Sequence, residues 1–549
     1  MNLVQSIDHV ALLPAYLAAA TALLAFLVDL IVPGRPIPVL AAAAVGTAAT
    51  GVAAWVIGAG PDRATFCIGG GTLPGEIAVE RSCSFSADGT GAVIAVVLCG
   101  LTLLVLALSV PAVSGPTGIP AGEYCFLLAA SLTGGVVLGY ARDLITLLVA
   151  LETLTLPLYV LTGLRRRSLA SAEGAVTFLV VSVVSTAVTL MGVALLYALT
   201  GAVHLDRLAV ALEARDDLRQ IPLTAVAAVM VVAGLAFKIA AVPFHAWAPT
   251  AYDGAPLPVA AYLSTASKLG GVVAILLVVI GGLWPWLNVT GPVLAGVAVL
   301  TMTVGNLVAL QQRRMVRLLA WSSVAQAGYL IAPLGAFATA AGREDPRTAV
   351  AATVAYTIFF VLLEVAAFGA VIAARGAADG GWLTDYRGIA RRHPWVATVL
   401  VLALAGLAGL PPGLAGLFAK ITVIRALLVN QAGWLAVIVA LNAVIGLVYY
   451  LRVGVLLFQR APDQATATVG ASTTGDATPA PAPGAGEAPT PARPAPAGQA
   501  PWRSRAVGSD AVAWPVGAAL AAITLVGVGV GFAPQTVLDA AGTALAFLS

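Results

Sequence analysis

Three residues of the chain could exchange protons where little else is charged. Only three of the 28 basic residues in the 549-residue sequence are lysines, namely Lys238, Lys268 and Lys420. Each lies inside a long apolar segment, whereas the arginines lie mainly in loops and at segment ends. Arginine keeps its proton in proteins, but a buried lysine can release its proton near neutral pH because burial disfavours the charged form. These lysines therefore indicate proton transfer.

One acidic residue has a similar setting. Glu152 is the only charge in the apolar run from Leu144 to Leu164 and falls near its middle. An ionised side chain at mid-membrane costs about 2.5 to 3.5 kcal/mol on insertion scales, so Glu152 is expected to face protein or water and to have a partner. The alternative is a protonated glutamic acid that hydrogen-bonds a neighbouring helix.

Two further residues are weaker candidates. Glu364 lies inside another apolar run and could join a proton path, or could simply form a hydrogen bond between helices. His245 could connect the segment of Lys238 to cytoplasmic water, or could be a satisfied histidine near a helix end. The histidines and cysteines lack metal-ligand spacing, so no metal site and no redox centre are expected in this chain.

The composition assigns these residues to a membrane protein. The sequence is 60% hydrophobic and only 10% charged, whereas a soluble domain carries about 25% charged residues. A soluble enzyme is thereby excluded. The net charge of +3 is scattered without a basic block, so nucleic-acid binding is excluded as well.

The expected fold is an all-α polytopic membrane protein. Because a spanning helix needs roughly 20 apolar residues, the hydropathy pattern predicts about fourteen such helices. Their predicted spans are 10–32, 38–58, 90–110, 123–140, 144–164, 175–200, 222–246, 256–281, 290–310, 316–337, 348–374, 395–427, 433–458 and 511–531.

Prolines predict that two of these helices are broken. Pro243 follows Lys238, and Pro411 and Pro412 precede Lys420. A proline inside a helix removes a hydrogen bond and clashes with the preceding turn. The mirrored order of lysine and proline is what two inverted-topology repeats would produce, with broken helices meeting near the midplane. The alternative for Lys238 is a side chain that extends to the membrane surface, but that requires a position near a helix end.

The same pattern divides the chain into five parts. The predicted divisions are N-terminal helices over 1–122 with an outer loop at 59–89, a first five-helix repeat over 123–281, a second over 282–458, a disordered Ala/Pro-rich cytoplasmic linker over 459–510, and a last helix and tail over 511–549.

Loop charges predict the orientation. With both termini on the outer side, the inner connections contain more arginines than the outer ones, as the positive-inside rule requires. The arginines then assigned to the outer side are Arg63, Arg81, Arg142, Arg207, Arg215, Arg219, Arg343 and Arg347. Cys67 and Cys83 then lie in the outer loop, where a disulfide and two free thiols are both possible.

Electrostatic magnitudes are compatible with proton pumping. A Glu–Lys pair at about 4 Å attracts by roughly 4 kcal/mol at an effective dielectric constant near 20. Moving one charge across 100 mV takes about 2.3 kcal/mol. Forming and breaking one buried ion pair is therefore comparable to the work of moving one proton.

The motifs around these residues resemble a known family. Glu152, Lys238 followed by PFHAW, Lys268 preceded by PLPVAAYLSTAS, and Lys420 after the proline break resemble the antiporter-like membrane subunits of respiratory complex I and of Mrp-type cation/proton antiporters. The resemblance covers the chain apart from the linker. It implies that Glu152 and Lys238 form the input pair of a proton channel, that Lys268 is a central relay, and that Lys420 exchanges protons with the opposite side.

Within that family the chain is most similar to the N-type subunit of NADH-quinone oxidoreductase, because position 420 is a lysine and no long lateral helix follows the last span. This likeness implies a proton-translocating subunit that lies in the bacterial cell (inner) membrane and has no cofactor of its own. NADH, FMN, iron-sulfur clusters and quinone are then expected in partner subunits. The expected neighbours are small quinone-side subunits and another antiporter-like subunit. An Mrp-type antiporter subunit and a membrane scaffold remain as alternatives.

Overall fold

The computed structural model of the chain describes residues 7–115, 118–460 and 512–543. Most of these residues form α-helices, which confirms the predicted helical class. From residue 461, the predicted disordered linker lies outside the described residues.

The first half of the chain contains thirteen α-helices and four short strands. In chain order they are α1 (Leu13–Ile31), α2 (Pro36–Gly58), β1 (Arg63–Ile68), β2 (Gly71–Leu73), β3 (Ile77–Val79), β4 (Ser82–Ala87), α3 (Gly89–Leu108), α4 (Val110–Ser114), α5 (Ala121–Tyr140), α6 (Leu144–Thr162), α7 (Leu169–Thr200), α8 (Leu205–Ala214), α9 (Asp216–Gln220), α10 (Pro222–Lys238), α11 (Trp247–Gly254), α12 (Leu257–Ser264) and α13 (Ala266–Leu276). This tally covers only the part of the chain that the structure describes.

The second half contains helices joined by short loops and no strand among its described residues. After a π-helical turn at Leu277–Gly282 and a 3-10 turn at Trp284–Trp286, its elements are α14 (Leu287–Ala309), α15 (Met315–Ile331), a 3-10 stretch at Ala332–Ala338, α16 (Ala340–Glu344), α17 (Pro346–Arg375), a 3-10 turn at Leu383–Tyr386, α18 (Ile389–Arg392), α19 (Pro394–Ala408), α20 (Leu414–Val429), α21 (Gly433–Phe458), α22 (Trp514–Phe532) and α23 (Pro534–Thr543).

The helices confirm a multi-pass membrane protein. Among the described residues, eleven helical segments are long and apolar enough to span a bilayer, and α10 and α19 are two shorter apolar helices. The most buried of the eleven runs from Leu257 to Gly282, so Lys268 lies on a segment that is surrounded by other helices. The count of fourteen and the inverted repeats stay predictions.

The first predicted break lies within the span expected at 222–246. Helix α10 ends at Lys238 and α11 begins at Trp247. Pro243 cannot donate to the Ile239 carbonyl, and its ring occupies the space that this carbonyl needs in a helix. The predicted break at Pro243 is therefore confirmed, whereas the second half-helix, α11, begins one residue beyond the expected end of this span.

The second break frees two carbonyl groups. Helix α19 ends at Ala408 and α20 begins at Leu414, so the span expected at 395–427 is also two helices. In a continuous helix the carbonyls of Leu407 and Ala408 would accept hydrogen bonds from residues 411 and 412. Both of those residues are prolines and have no N–H. The two carbonyls at the end of α19 are therefore available to side chains.

The loop expected at 59–89 contains all four strands of the described ranges. Strand β1 pairs antiparallel with β4, and β2 pairs with β3. A disulfide joins Cys67 to Cys83 across the first pair, which decides between the two alternatives left open by the sequence. The buried guanidinium of Arg207 donates to the carbonyls of Gly69 and Glu80, at 2.6 and 2.8 Å, and holds the hairpins against α8.

Candidate proton-transfer site

Glu152 and Lys238 face each other across α6 and α10. The Nζ atom of Lys238 lies 2.8 Å from Oε1 of Glu152 and donates a second hydrogen bond to Thr155 at 3.2 Å. The hydroxyl of Thr186 donates to the same carboxylate oxygen at 2.7 Å. Glu152 keeps 25% of its side-chain surface exposed, whereas Lys238 keeps only 5%. The pair is thus open on the glutamate side and closed on the lysine side.

The proline break explains why a cation fits at Lys238. This residue is the last of α10, where the carbonyl ends of the helix give a partial negative charge that stabilises a cation. The Nζ atom also lies 5.4 Å from the ring centre of Phe237. Trp247, which opens α11, donates from its indole nitrogen to the Phe237 carbonyl at 3.3 Å and so binds the two half-helices together.

Lys268 is buried in α13 and has no carboxylate within 4 Å among the described residues. Its Nζ atom donates to Oγ of Ser323 at 2.7 Å and to the carbonyl oxygen of the same residue. The Phe360 ring lies 5.7 Å away. A Cβ atom added to Gly271 would lie 3.1 Å from Cβ of Lys238, so this glycine allows α13 to pack directly against the helix of the first lysine.

Glu364 joins the surroundings of Lys268. It lies in α17 with no exposed surface, and neither of its carboxylate oxygens has a hydrogen-bond partner in the described part of the chain. Its charge interacts electrostatically with Lys268 and with Tyr450. A buried carboxyl group without partners must bind a proton or water to avoid a large desolvation cost. A place for Glu364 in a proton path stays a prediction, as does a hydrogen bond between helices.

Lys420 binds the two carbonyls that the prolines free. Its Nζ atom donates to the carbonyl oxygens of Leu407 at 2.9 Å and Ala408 at 2.7 Å. The ring of Tyr329 lies 5.1 Å away and adds a cation–π contact. The proline pair thus leaves two carbonyl acceptors free for Lys420. These carbonyls lie thirteen and twelve residues before the lysine in the sequence.

A group of uncharged polar residues, which the sequence analysis missed, lies between Lys268 and Lys420. Gln326 donates from Nε2 to the Leu407 carbonyl and to the Tyr450 hydroxyl, each at 3.1 Å. The Tyr356 hydroxyl donates to Oε1 of Gln326, and Tyr450 hydrogen-bonds Ser322, both at 2.5 Å. The signal that could have revealed them is the amide of Gln326 within an apolar span, because a buried amide requires partners.

The comparisons with known proteins identify the family. Residues 141–446 match the family described as NADH:quinone oxidoreductase/Mrp antiporter, transmembrane. NADH-quinone oxidoreductase subunit N from Salinispora tropica is 64% identical over 457 residues, which are 82% of this chain and 86% of that relative. The chain belongs to the subunit N family.

Two solved structures share the fold of this subunit N family member. A chain of respiratory complex I from Thermus thermophilus with bound aureothin aligns with a TM-score of 0.70 and 26% identity, over 96% of this chain and 98% of that one. A chain of the Mrp complex from Dietzia sp. aligns with the same TM-score at 23% identity, over 98% and 96%. The second likeness shows a common fold.

One predicted site residue of this subunit N family member stays apart from the others. His245 lies in the non-helical stretch between α10 and α11, and its ring centre is 5.2 Å from that of Trp321. Its Nδ1 atom is buried without a hydrogen-bond partner in the described structure. None of the hydrogen bonds within the described ranges joins His245 to the three lysines. A role for this histidine stays a prediction.

The arginines at one end of the subunit N fold form an ion-pair cluster with carboxylates. Arg314 contacts Asp253 at 2.8 Å and Asp379 at 3.1 Å, and Arg375 contacts Asp379 at 3.2 Å. Burial disfavours the charged form of Asp379, but hydrogen bonding to Arg314 and the charges of Arg314 and Arg375 outweigh burial and lower the pKa of Asp379. The cluster joins the last turn of α11, the residue before α15, and the end of α17 with the loop after it. This end is the one predicted to face the cytoplasm.

The opposite end has an open cavity of about 1380 Å³ with charged residues of both signs. Arginines assigned to the outer side by the loop charges line it, among them Arg81, Arg142, Arg343 and Arg347. The sequence therefore grouped these arginines correctly on one face.

Proposed function

We propose that this chain is a proton-translocating membrane subunit of NADH-quinone oxidoreductase. The single observation that carries the proposal is the row of buried lysines, each held by polar atoms inside helices that span the membrane. Such groups are expensive in a bilayer and mark ion or proton pathways. Membership in the subunit N family supports the redox complex over other settings.

The proposed proton path crosses the fold from the Glu152–Lys238 pair through Lys268 to Lys420. Glu152 and Lys238 receive the proton at the partly exposed end, and Lys268 with Glu364 holds it in the centre. Lys420 exchanges it with the other side. The chain places each lysine next to oxygen acceptors that stabilise its charged form. A small movement of a lysine side chain away from these acceptors would then release its proton to the next group.

Electron transfer is proposed to occur in other subunits. We assign NADH, FMN, iron-sulfur clusters and quinone to the partners, and we expect the neighbouring membrane subunits to deliver the driving force. The proposed location is the bacterial cell (inner) membrane with both termini outside. The Cys67–Cys83 disulfide supports this orientation, because disulfides form in oxidising compartments and are rare in the cytosol.

The second candidate is a subunit of an Mrp-type antiporter. The shared fold with the Dietzia chain supports it. The residues for proton transfer would be the same, and the driving force would be a sodium or proton gradient instead of electron transfer. The higher identity to subunit N relatives favours the oxidoreductase.

The test uses the assembled complex in sealed membrane vesicles. In Lys268→Ala complexes we expect NADH-driven proton uptake into the vesicles to fall severalfold while the complex still assembles. The control is Arg425→Ala, which removes an exposed basic charge from α20 and should leave uptake unchanged. Full uptake in an assembled Lys268→Ala complex would support a scaffold. Activity driven by sodium gradients without NADH would support the antiporter.

A further inference from the structure

The amide of Gln326 occupies the gap between the central lysine and the last one. Its nitrogen bridges the Tyr450 hydroxyl and the Leu407 carbonyl, at 3.1 Å each. The same carbonyl accepts from Lys420 at 2.9 Å. Gln326 lies one helical turn after Ser323, which binds Lys268, and links the Tyr450 hydroxyl to the carbonyl that binds Lys420.

Its neighbours determine the orientation of this amide. The Leu407 carbonyl can only accept, and Pro411 leaves it without a backbone donor, so the NH₂ group must point towards it. On the other side the Tyr356 hydroxyl donates to Oε1 at 2.5 Å. A flipped amide would place two oxygens against each other at Leu407. Both N–H bonds are consequently used, one towards Lys420 and one towards Tyr450.

This orientation interrupts proton hopping. A group passes a proton along a hydrogen-bonded chain only if it accepts on one side and donates on the other. The Gln326 nitrogen has two donors and no acceptor, and the Leu407 carbonyl accepts from both Gln326 and Lys420 with no proton to give. Hydroxyls such as those of Tyr450 and Ser322 can both accept and donate. The Gln326 amide and the carbonyl next to it therefore interrupt the hydrogen-bonded chain that leads to Lys420.

We propose that Gln326 is a gate that blocks proton transfer between Lys268 and Lys420 until its amide leaves the Leu407 carbonyl. This inference rests on the proposed proton-translocating function. Water entering the vacated space would supply a group that both accepts and donates. In the closed position Gln326 prevents protons from flowing back from Lys420 to Lys268 between turnovers.

The experiment measures passive proton leak. Sealed vesicles with the assembled complex receive a pH gradient without NADH, and its decay is followed with a pH-sensitive dye. In Gln326→Ala vesicles we expect decay at least twice as fast as in wild type. Adding Lys268→Ala should restore slow decay, because the leak must pass through that lysine. The matched control is Tyr124→Phe, which removes a buried hydroxyl that hydrogen-bonds Ser109 in the N-terminal helices, away from the path.

The outcomes separate the gate from the proposed function. If Lys268→Ala lowers NADH-driven pumping but Gln326→Ala vesicles hold their gradient as wild type does, the function stands and the gate is wrong. If Lys268→Ala leaves pumping intact, the proposed function itself fails. Should Gln326→Ala not assemble, Tyr356→Phe removes only the hydroxyl that holds the amide oxygen. In Tyr356→Phe vesicles we expect the pH gradient to decay faster than in wild type but less than twice as fast. Decay at the wild-type rate would overturn the gate.

Discussion

The ammonium group of Lys420 lies 2.7 Å from the carbonyl oxygen of Ala408, which Pro412 leaves without a backbone donor. A helix break and a buried cation are thus two parts of one arrangement. The partial negative charge at the end of α19 adds to the stabilisation of the cation. The proline is part of the proton site because it keeps an acceptor open.

Replacing Pro412 should therefore impair pumping without removing any ionisable group. In Pro412→Ala the new N–H can bond the Ala408 carbonyl and compete with Lys420, so we expect NADH-driven proton uptake to fall severalfold. Pro394→Ala is the matched control, since Pro394 is the first residue of α19, where no N–H donor is needed. Equal uptake in both variants would contradict the role of the freed carbonyl.

The ion pair at the open end predicts the effect of neutralising Glu152. Glu152→Gln keeps an oxygen near Lys238 but leaves a buried ammonium group without its counter-charge, which disfavours the protonated lysine. We expect proton uptake per NADH oxidised to fall to less than half. Glu173→Gln, an exposed carboxylate near the start of α7, should have no effect. Wild-type coupling in Glu152→Gln would show that the charge of this pair is dispensable.

Labelling Cys83 tests the orientation. Cys67→Ser releases Cys83 from the disulfide. We expect a membrane-impermeant maleimide to label this thiol in right-side-out vesicles and to label inverted vesicles weakly. The two native free thiols, Cys99 and Cys125, are buried. Labelling of the wild-type protein therefore measures their background signal. Strong labelling restricted to inverted vesicles would reverse the topology.

The ion-pair cluster predicts a pH-dependent contribution to stability. Because the folded-state pKa of Asp379 is below its ordinary value of 3.8, the contribution is complete above that value and is lost as the pH falls through the lowered pKa. The melting temperature of Asp379→Asn should therefore lie below wild type by a constant amount between about pH 6 and 8. A difference that grows or vanishes within that range would exclude this carboxylate as the source.

Sequence reasoning identified the charged residues of the site but not the uncharged ones. Lysine and glutamate stand out in an apolar run because their burial is costly, and proline predicts a break wherever it occurs. Gln326 and Tyr450 do not stand out in this way, because their role depends on hydrogen bonds between residues far apart in the sequence. Gln326 bonds Leu407, 81 residues away, and Tyr450, 124 residues away. The hairpins at 63–87 were missed for a related reason, as short strands depend on Arg207 and on the disulfide.

The sequence by itself determined that this is a helical membrane protein, which helices are broken, and which four ionisable residues are the main candidates for proton transfer. Those properties follow from local physics: hydropathy, the missing N–H of proline and the cost of burying charge act on each segment separately. Only the tertiary structure decided that Lys238 pairs with Glu152, that Glu364 approaches Lys268, and that an amide lies before Lys420. Hydrogen bonds require atoms within about 3 Å, and packing alone brings distant segments that close.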